Sequence, residues 1–152
     1  IRVINNHLES NKLNQEDREI AKKIMADYNS RQEKIDAGLK VGSRLVSGAK
    51  NRVKQVGAVR STLEETDYKT IVLGDFNDVP LSYTYNKICG DLQDAYALGG
   101  KWGYHWTYNK SAMLFAIDHI LVDKEFEVVS SKVHREMKLS DHYPVSCVLQ
   151  IK

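Results

Sequence analysis

Four short segments, far apart in the chain, set Asp, Asn or His beside an apolar run: VINNHL from Val3, VLGDFND from Val72, AIDHILV from Ala116 and LSDHYPV from Leu139. Taken singly, each reads as an ordinary strand end, because Asp and Asn readily bond turn backbone. Taken together they carry more. If neighbouring strands bring these ends to one place, Asp75, Asn77, Asp118, Asp141, His7 and His142 share a cleft. Carboxylates crowded in that way repel one another and require a cation or protonated partners. Oxygen donors without a cysteine cluster point to Mg²⁺ or Mn²⁺ rather than zinc. Two histidines beside such a cation suit hydrolysis, one taking a proton from water while the other serves the leaving oxygen. On the residues alone the reading is metal-assisted phosphoester hydrolysis.

Strands and helices must position these groups. Ile1 to Ile4 alternates loosely and ends in the polar Asn5-Asn6-His7, which predicts a strand. Ile20, Ile24, Met25 and Tyr28 recur at helical spacing, with Glu16, Asp17 and Glu19 early, and predict a helix over 15–29. Residues 30–47 are polar, with Gly38, Gly42 and Ser43 as breakers, and read as a loop. Val53, Val56, Val59 and Leu63 then form a second helical stripe. Thr70 to Leu73 is a strand, Pro80-Leu81-Ser82 opens a short helix carrying Tyr83, Tyr85 and Ile88, and the Gly- and aromatic-rich stretch 99–110 reads as a loop or irregular hairpin. Further strands are predicted over 117–122 and 145–151. Strands separated by helices in the first half, then mostly strands, give an α/β layered domain with mixed sheets. Such sheets place ligands at strand ends.

Composition narrows the setting. A chain of 152 residues has single-domain size, and 42% hydrophobic with 28% charged residues is far from disorder. A formal charge of +2 does not by itself mark a nucleic-acid binder. Lys40, Arg44, Lys50, Arg52, Lys54 and Arg60 make one region basic, which suits either a phosphate backbone or a solvated helix face. Cys89 and Cys147 lie far apart and read as buried thiols. No run reaches the ~18 apolar residues of a membrane span. The chain opens on Ile1 inside an apolar segment, and a piece of a longer protein is expected.

GDFND, then IDHILV, then SDHYPV near the chain end, with NNHL ahead of them, resembles the endonuclease/exonuclease/phosphatase family, with all four motifs in family order from His7 to Pro144. The resemblance implies a fold: the α/β C-terminal half of a four-layer α/β sandwich, with mixed, mostly antiparallel sheets flanked by helices. Residues 1–152 would then be the C-terminal portion of one domain whose N-terminal half is absent. It also implies roles. His142 resembles the histidine that activates the attacking water and Asp118 the carboxylate that orients it through a hydrogen bond. Asp141 is similar to a metal ligand, Asp75 and Asn77 resemble the pair that positions nucleophile and scissile phosphate, and His7 matches the leaving-group histidine. His105, His119 and His134 read as structural. Ala116 stands where the family often has a basic residue. The family's first half supplies an Asn and a Glu that is a principal metal ligand, so the isolated chain is expected to be inactive and to bind metal weakly.

The family cleaves DNA, RNA, phospholipid head groups and inositol phosphates on one core, so fold alone does not choose a substrate. A phosphodiesterase or nuclease using Mg²⁺ or Mn²⁺ is expected; the alternatives are a phospholipid or sugar-phosphate phosphoesterase of the same family, or a non-catalytic half-domain acting as an interaction module. AIDHILV lacks the Trp-Cys-Asp-Arg type string of inositol phosphatases. Trp102, Tyr104, Trp106 and Tyr108 are suited to stacking bases, to meeting a membrane surface, or to plain packing. A half sandwich forming mainly one sheet would bare a face lined by residues such as Val72, Ile120, Val122 and Val148, to be covered by the N-terminal half or by a second copy.

Overall fold

A computed structural model describes residues 1–11, 17, 19, 31–65, 67–100, 105–110 and 115–152. The predicted helix over 15–29 lies outside them apart from Asp17 and Glu19, both helical. Strand β1 (Arg2–His7) runs parallel to β2 (Thr70–Asp75), a pairing that needs a long crossover, and the helix α1 (Arg31–Glu64) lies in it. Ser82 caps α2 (Tyr83–Cys89) by accepting from the Tyr85 N–H at 3.1 Å. Asp94 closes β3 (Gln93–Asp94) and caps α3 (Ala95–Gly99). Strand β4 (Asp118–Val122) pairs antiparallel with β2 and β3, giving the order β1-β2-β4-β3. A second sheet, the antiparallel ribbon of β5 (Phe126–Val133) and β6 (Val145–Ile151), follows, with a bulge between Val128 and Ser130. The expected mixed α/β class is observed, with two sheets rather than mainly one. Among the described residues no helix is long and apolar enough to cross a membrane.

Strand alternation divides the core in two. Ile4, Val72 and Leu121 point to the helices and pack with Leu8, Val56, Val59, Phe76, Tyr85 and Ile88. Ile71, Ile120 and Val122 point the other way and meet Ala95, Phe126, Val128, Cys147 and Leu149. The expectation of a bare face is therefore corrected at three of its four residues: Val72 lies under the helices, Val122 under Phe126, and Ile120 is half-buried. Val148, opposite Ser130 on the outer side of the ribbon, is 58% exposed. The ribbon covers the β4 side of the sheet, while Val3 on edge strand β1 stays 59% exposed.

The predicted loop over 30–47 is also corrected, since Gly38, Gly42 and Ser43 lie inside α1. A glycine costs a helix only ~1 kcal/mol, and the neighbouring Lys, Arg, Leu and Glu residues are good helix formers. Arg44 of this stretch pairs with the buried Asp17. Gly48 sits where the segment after β1 crosses the helix. A Cβ there would meet Asn11 Oδ1 at 2.7 Å, so glycine is what permits the crossing. Of the basic run, Arg60 pairs with Glu64 at 3.0 Å and Arg52 turns inward, 3% exposed, instead of lining a phosphate track. Arg2 binds the last turn of α1 to the sheet, donating to the carbonyls of Thr62 at 2.5 Å and Leu63 at 2.9 Å.

Gly74 in β2 has φ +126°, and a Cβ on it would stand 2.0 Å from the carbonyl oxygen of Asn6 in β1. Gly74→Ala must part the β1–β2 ladder next to the candidate site. A loss of about 3 kcal/mol, the upper end for overpacking, is expected in chemical denaturation.

Candidate active site

Sheet register builds the site. His7 is paired with Asp75, and Asp75 with Asp118, so one row across β1, β2 and β4 carries three of the candidate side chains. Directly opposed residues of neighbouring strands point to the same side, which brings His7 Nε2 to 3.7 Å from Asp75 Oδ2. His142 enters from the segment before β6, where it bridges to Tyr108. Its Nδ1 lies 2.8 Å from Asp118 Oδ2 and its Nε2 lies 3.9 Å from Asp75 Oδ2. Because an ionised carboxylate only accepts, Nδ1–H donates to Asp118 and Nε2 faces Asp75. The expected Asp118–His142 hydrogen bond is present.

Asn77 locks the row from one end. Its backbone N–H donates to Asp75 Oδ1 at 2.7 Å, and its Nδ2 donates to Asp75 Oδ2 at 3.0 Å and to the Leu8 carbonyl at 2.9 Å. This takes a left-handed backbone, φ +50°, which Asn tolerates better than most residues. The groups also perturb one another. The hydrogen bond to Asp118 raises the His142 pKa above the ordinary 6.5 against the opposing effect of burial. Burial raises that of Asp75, aided by the nearby Asp118 charge and resisted by the Asn77 N–H.

Asp75, Asp118 and His142 each offer a ligand atom, and these atoms all lie within 4.8 Å of one another. Two carboxylates and one imidazole fit a hard divalent cation. Asp141 is not in this group; its Oδ1 accepts from the Ser140 hydroxyl at 3.2 Å. Beside the row, Leu73, Gly74, Ile120 and the stretch Tyr143 to Val145 line a mainly apolar cleft of about 300 Å³ together with Asp118 and His142.

Sequence reasoning misses Thr107, which is fully buried. Its hydroxyl accepts from the N–H groups of Ile117 and Asp118, each at 3.1 Å, and its carbonyl accepts from the Tyr143 N–H at 2.7 Å. Asn109 N–H donates to the Asp141 carbonyl at 2.9 Å, and the Tyr108 ring meets the His142 imidazole edge-on at 5.1 Å. Residues 107–109 thus bracket both members of the Asp118–His142 pair. No spacing rule flags a single Thr in an aromatic run. Thr107→Val keeps the volume and strands two backbone donors; a loss of ~2 kcal/mol in urea unfolding is expected, within the cost of unsatisfied buried groups.

The other aromatic residues that the structure describes in this region are packed. The Arg135 guanidinium lies 3.5 Å from the Trp106 ring centroid, and His105 stacks on Tyr96 at 3.7 Å. Trp102 and Tyr104 lie outside the described residues. His134 bonds Ser146 Oγ at 2.7 Å, away from the row, and His119 is buried between Phe76 and Tyr85.

Known proteins share this architecture. The mannosyl-6-phosphatase of Bacteroides thetaiotaomicron VPI-5482 is 26% identical, with a TM-score of 0.55 over 67% of this chain and 46% of its own. An endonuclease/exonuclease/phosphatase from Bacteroides vulgatus is 25% identical, with a TM-score of 0.58 over 69% of this chain and 46% of its own. The human nocturnin catalytic domain, 20% identical with a TM-score of 0.52 over 68% of this chain and 41% of its own, shares the fold. The chain spans less than half the length of each of these structures. No curated protein matches it significantly. Residues 41–142, which hold the Asp75, Asp118 and His142 motifs, match the model of the Endonuclease/Exonuclease/phosphatase family, and the chain belongs to that family.

Proposed function

We propose that residues 1–152 are the C-terminal portion of one endonuclease/exonuclease/phosphatase domain, and that the domain hydrolyses phosphoester bonds with Mg²⁺ or Mn²⁺, most readily those of a phosphodiester or nucleic acid. The observation that carries this reading is the 2.8 Å bond from His142 Nδ1 to Asp118, which leaves Nε2 directed at Asp75. In this reading Nε2 takes the proton of the attacking water, and Asp118 fixes the tautomer and stabilises the imidazolium that results. Asp75, held by Asn77, orients the water and the scissile phosphate. His7, its side chain 80% exposed, is free to approach the leaving oxygen and give it a proton. Asp75 and Asp118 would supply oxygen donors to a cation, and Asp141, which lies outside their close group, and a carboxylate of the N-terminal half would be further ligands. When bound, the cation neutralises charge on the phosphate.

The likeness to a mannosyl-6-phosphatase at 26% identity supports a second reading, a sugar-phosphate monoester as substrate. One experiment separates the two and tests both. The complete domain, extended upstream of Ile1, and the chain alone are assayed with bis(p-nitrophenyl) phosphate and with a sugar monophosphate, each with Mg²⁺ or Mn²⁺. Metal-dependent diester cleavage by the complete domain, and none by the chain alone, is the expected result. Preference for the monoester favours the second reading, and inactivity of the complete domain on both substrates overturns both.

A further inference from the structure

Asp78 stands one residue beyond Asn77, and two buried groups hold it. Arg52 Nε donates to Asp78 Oδ2 at 3.1 Å, while its Nη1 donates to the Glu9 carbonyl at 3.0 Å and to Asn11 Oδ1 at 2.9 Å. From the other side His119, 3% exposed, sets its Nε2 3.0 Å from the Asp78 carbonyl oxygen. A carbonyl only accepts, so the proton is on Nε2. The ring is wedged between Phe76 and Tyr85, with centroids 5.1 and 4.8 Å away, and its backbone is paired with Gly74. Its Nδ1 has no hydrogen-bond partner among the described residues.

For packing alone this is a poor choice of side chain. An apolar residue would fill the space without an unsatisfied buried nitrogen, which costs stability. What the imidazole adds is one directed N–H, aimed at the Asp78–Val79 peptide, one residue beyond the left-handed Asn77. Asn77 carries both hydrogen bonds to the Asp75 carboxylate. Displacement of Asp78 is passed through the Asn77 backbone to both of them.

We propose that His119 is a positioning residue: by donating Nε2–H to the Asp78 carbonyl it fixes the turn at Asn77, and thereby the Asp75 carboxylate against His142. The geometric part stands on this structure, and the effect on rate rests on the phosphoesterase reading above.

Two variants of similar polarity test it. A glutamine amide reaches the place of Nε2, whereas an asparagine amide reaches only that of Nδ1. In NMR spectra of this chain, His119→Asn should shift the Asn77 backbone amide proton upfield and speed its exchange with solvent about tenfold, the mark of a lost local bond. His119→Gln should keep both close to wild type, even where the two variants lower the melting temperature equally. In the complete domain, His119→Asn should lower kcat by roughly 10- to 100-fold with KM within about twofold, as for a misplaced reacting group, and Gln should recover most of it. An Asn77 amide unmoved in His119→Asn, or moved equally in both variants, would overturn the proposal and leave His119 a core filler. If the wild-type complete domain hydrolyses no phosphoester, the functional reading falls, and the NMR comparison still decides the positioning role.

Discussion

Replacing His142 by Ala in the complete domain is expected to lower turnover at least ~10²-fold, the low end for loss of a general base, with KM little changed. The imidazole joins both carboxylates of the row: Nδ1 meets Asp118 at 2.8 Å and Nε2 faces Asp75 at 3.9 Å. His7, the other histidine of the row, reaches Asp75 from the edge strand β1 and does not take that place. The pH profile carries an independent signature. A base must be unprotonated to act, and the hydrogen bond to Asp118 holds the His142 pKa above 6.5, so the acid limb of kcat/KM should lie above that value and move down in Asp118→Asn. Stability follows the same linkage. The contribution of the pair is complete below about pH 6.5 and is lost as pH rises through the elevated folded-state value. A His142→Ala variant with near-normal turnover, or an acid limb unmoved by Asp118→Asn, would exclude the assigned role.

Arg52→Leu is expected to destabilise the fold by about 3 kcal/mol, the low end for breaking a buried ion pair. Arg52 is 3% exposed and its guanidinium serves three acceptors on two different segments: Asp78 after β2, and Glu9 and Asn11 after β1. Leucine fills much of the volume but leaves the Asp78 carboxylate beside an apolar wall. It also frees the two segments that lead from the row. Denaturant unfolding should show a lower midpoint at unchanged m-value. Double replacement with Asp78→Ala should cost less than the sum of the singles, because the stranded charge is then gone. A change below ~1 kcal/mol would show that water serves these groups as well as the guanidinium does.

Much of the fold is legible in the residues themselves. The strand read at Ile1 to His7 is found over Arg2–His7, those read over 70–73 and 117–122 are found over Thr70–Asp75 and Asp118–Val122, and the final strand over 145–151 is found as read, because period-two alternation and polar ends are local signals. Shared placement at strand ends predicts the convergence of His7, Asp75, Asn77, Asp118, Asp141 and His142; the register puts three of them in one row, and Asp141 stays outside the close group of Asp75, Asp118 and His142. The misses have physical causes. The helical path through Gly38 and Gly42 runs against propensity, and a bulge between Val128 and Ser130 breaks the alternation that would mark β5. The inward turn of Arg52 depends on Gly48 letting Asn11 approach, and the role of Thr107 depends on Ile117 and Asp118 lying across from it. Both are tertiary facts with no trace in the spacing of residue types. Val72 and Val122 read as members of one bare face because alternation gives two faces and does not say which one the helices cover, or that a ribbon covers part of the other.

The parallel pairing of β1 with β2 has a consequence for biosynthesis. Arg2 and Thr70 lie side by side although 68 residues separate them, so β1 leaves the ribosome well before its partner. At ~5–20 residues per second the wait is roughly 3–14 s, far longer than a helix or a hairpin takes to form. Throughout it Ile1, Val3 and Ile4 lack the β2 partner that flanks them in the folded sheet, and Val3 remains 59% exposed even after pairing. The β1 edge that β2 will take therefore stays open through that interval, and a chaperone that holds short extended apolar segments has the whole of it in which to act.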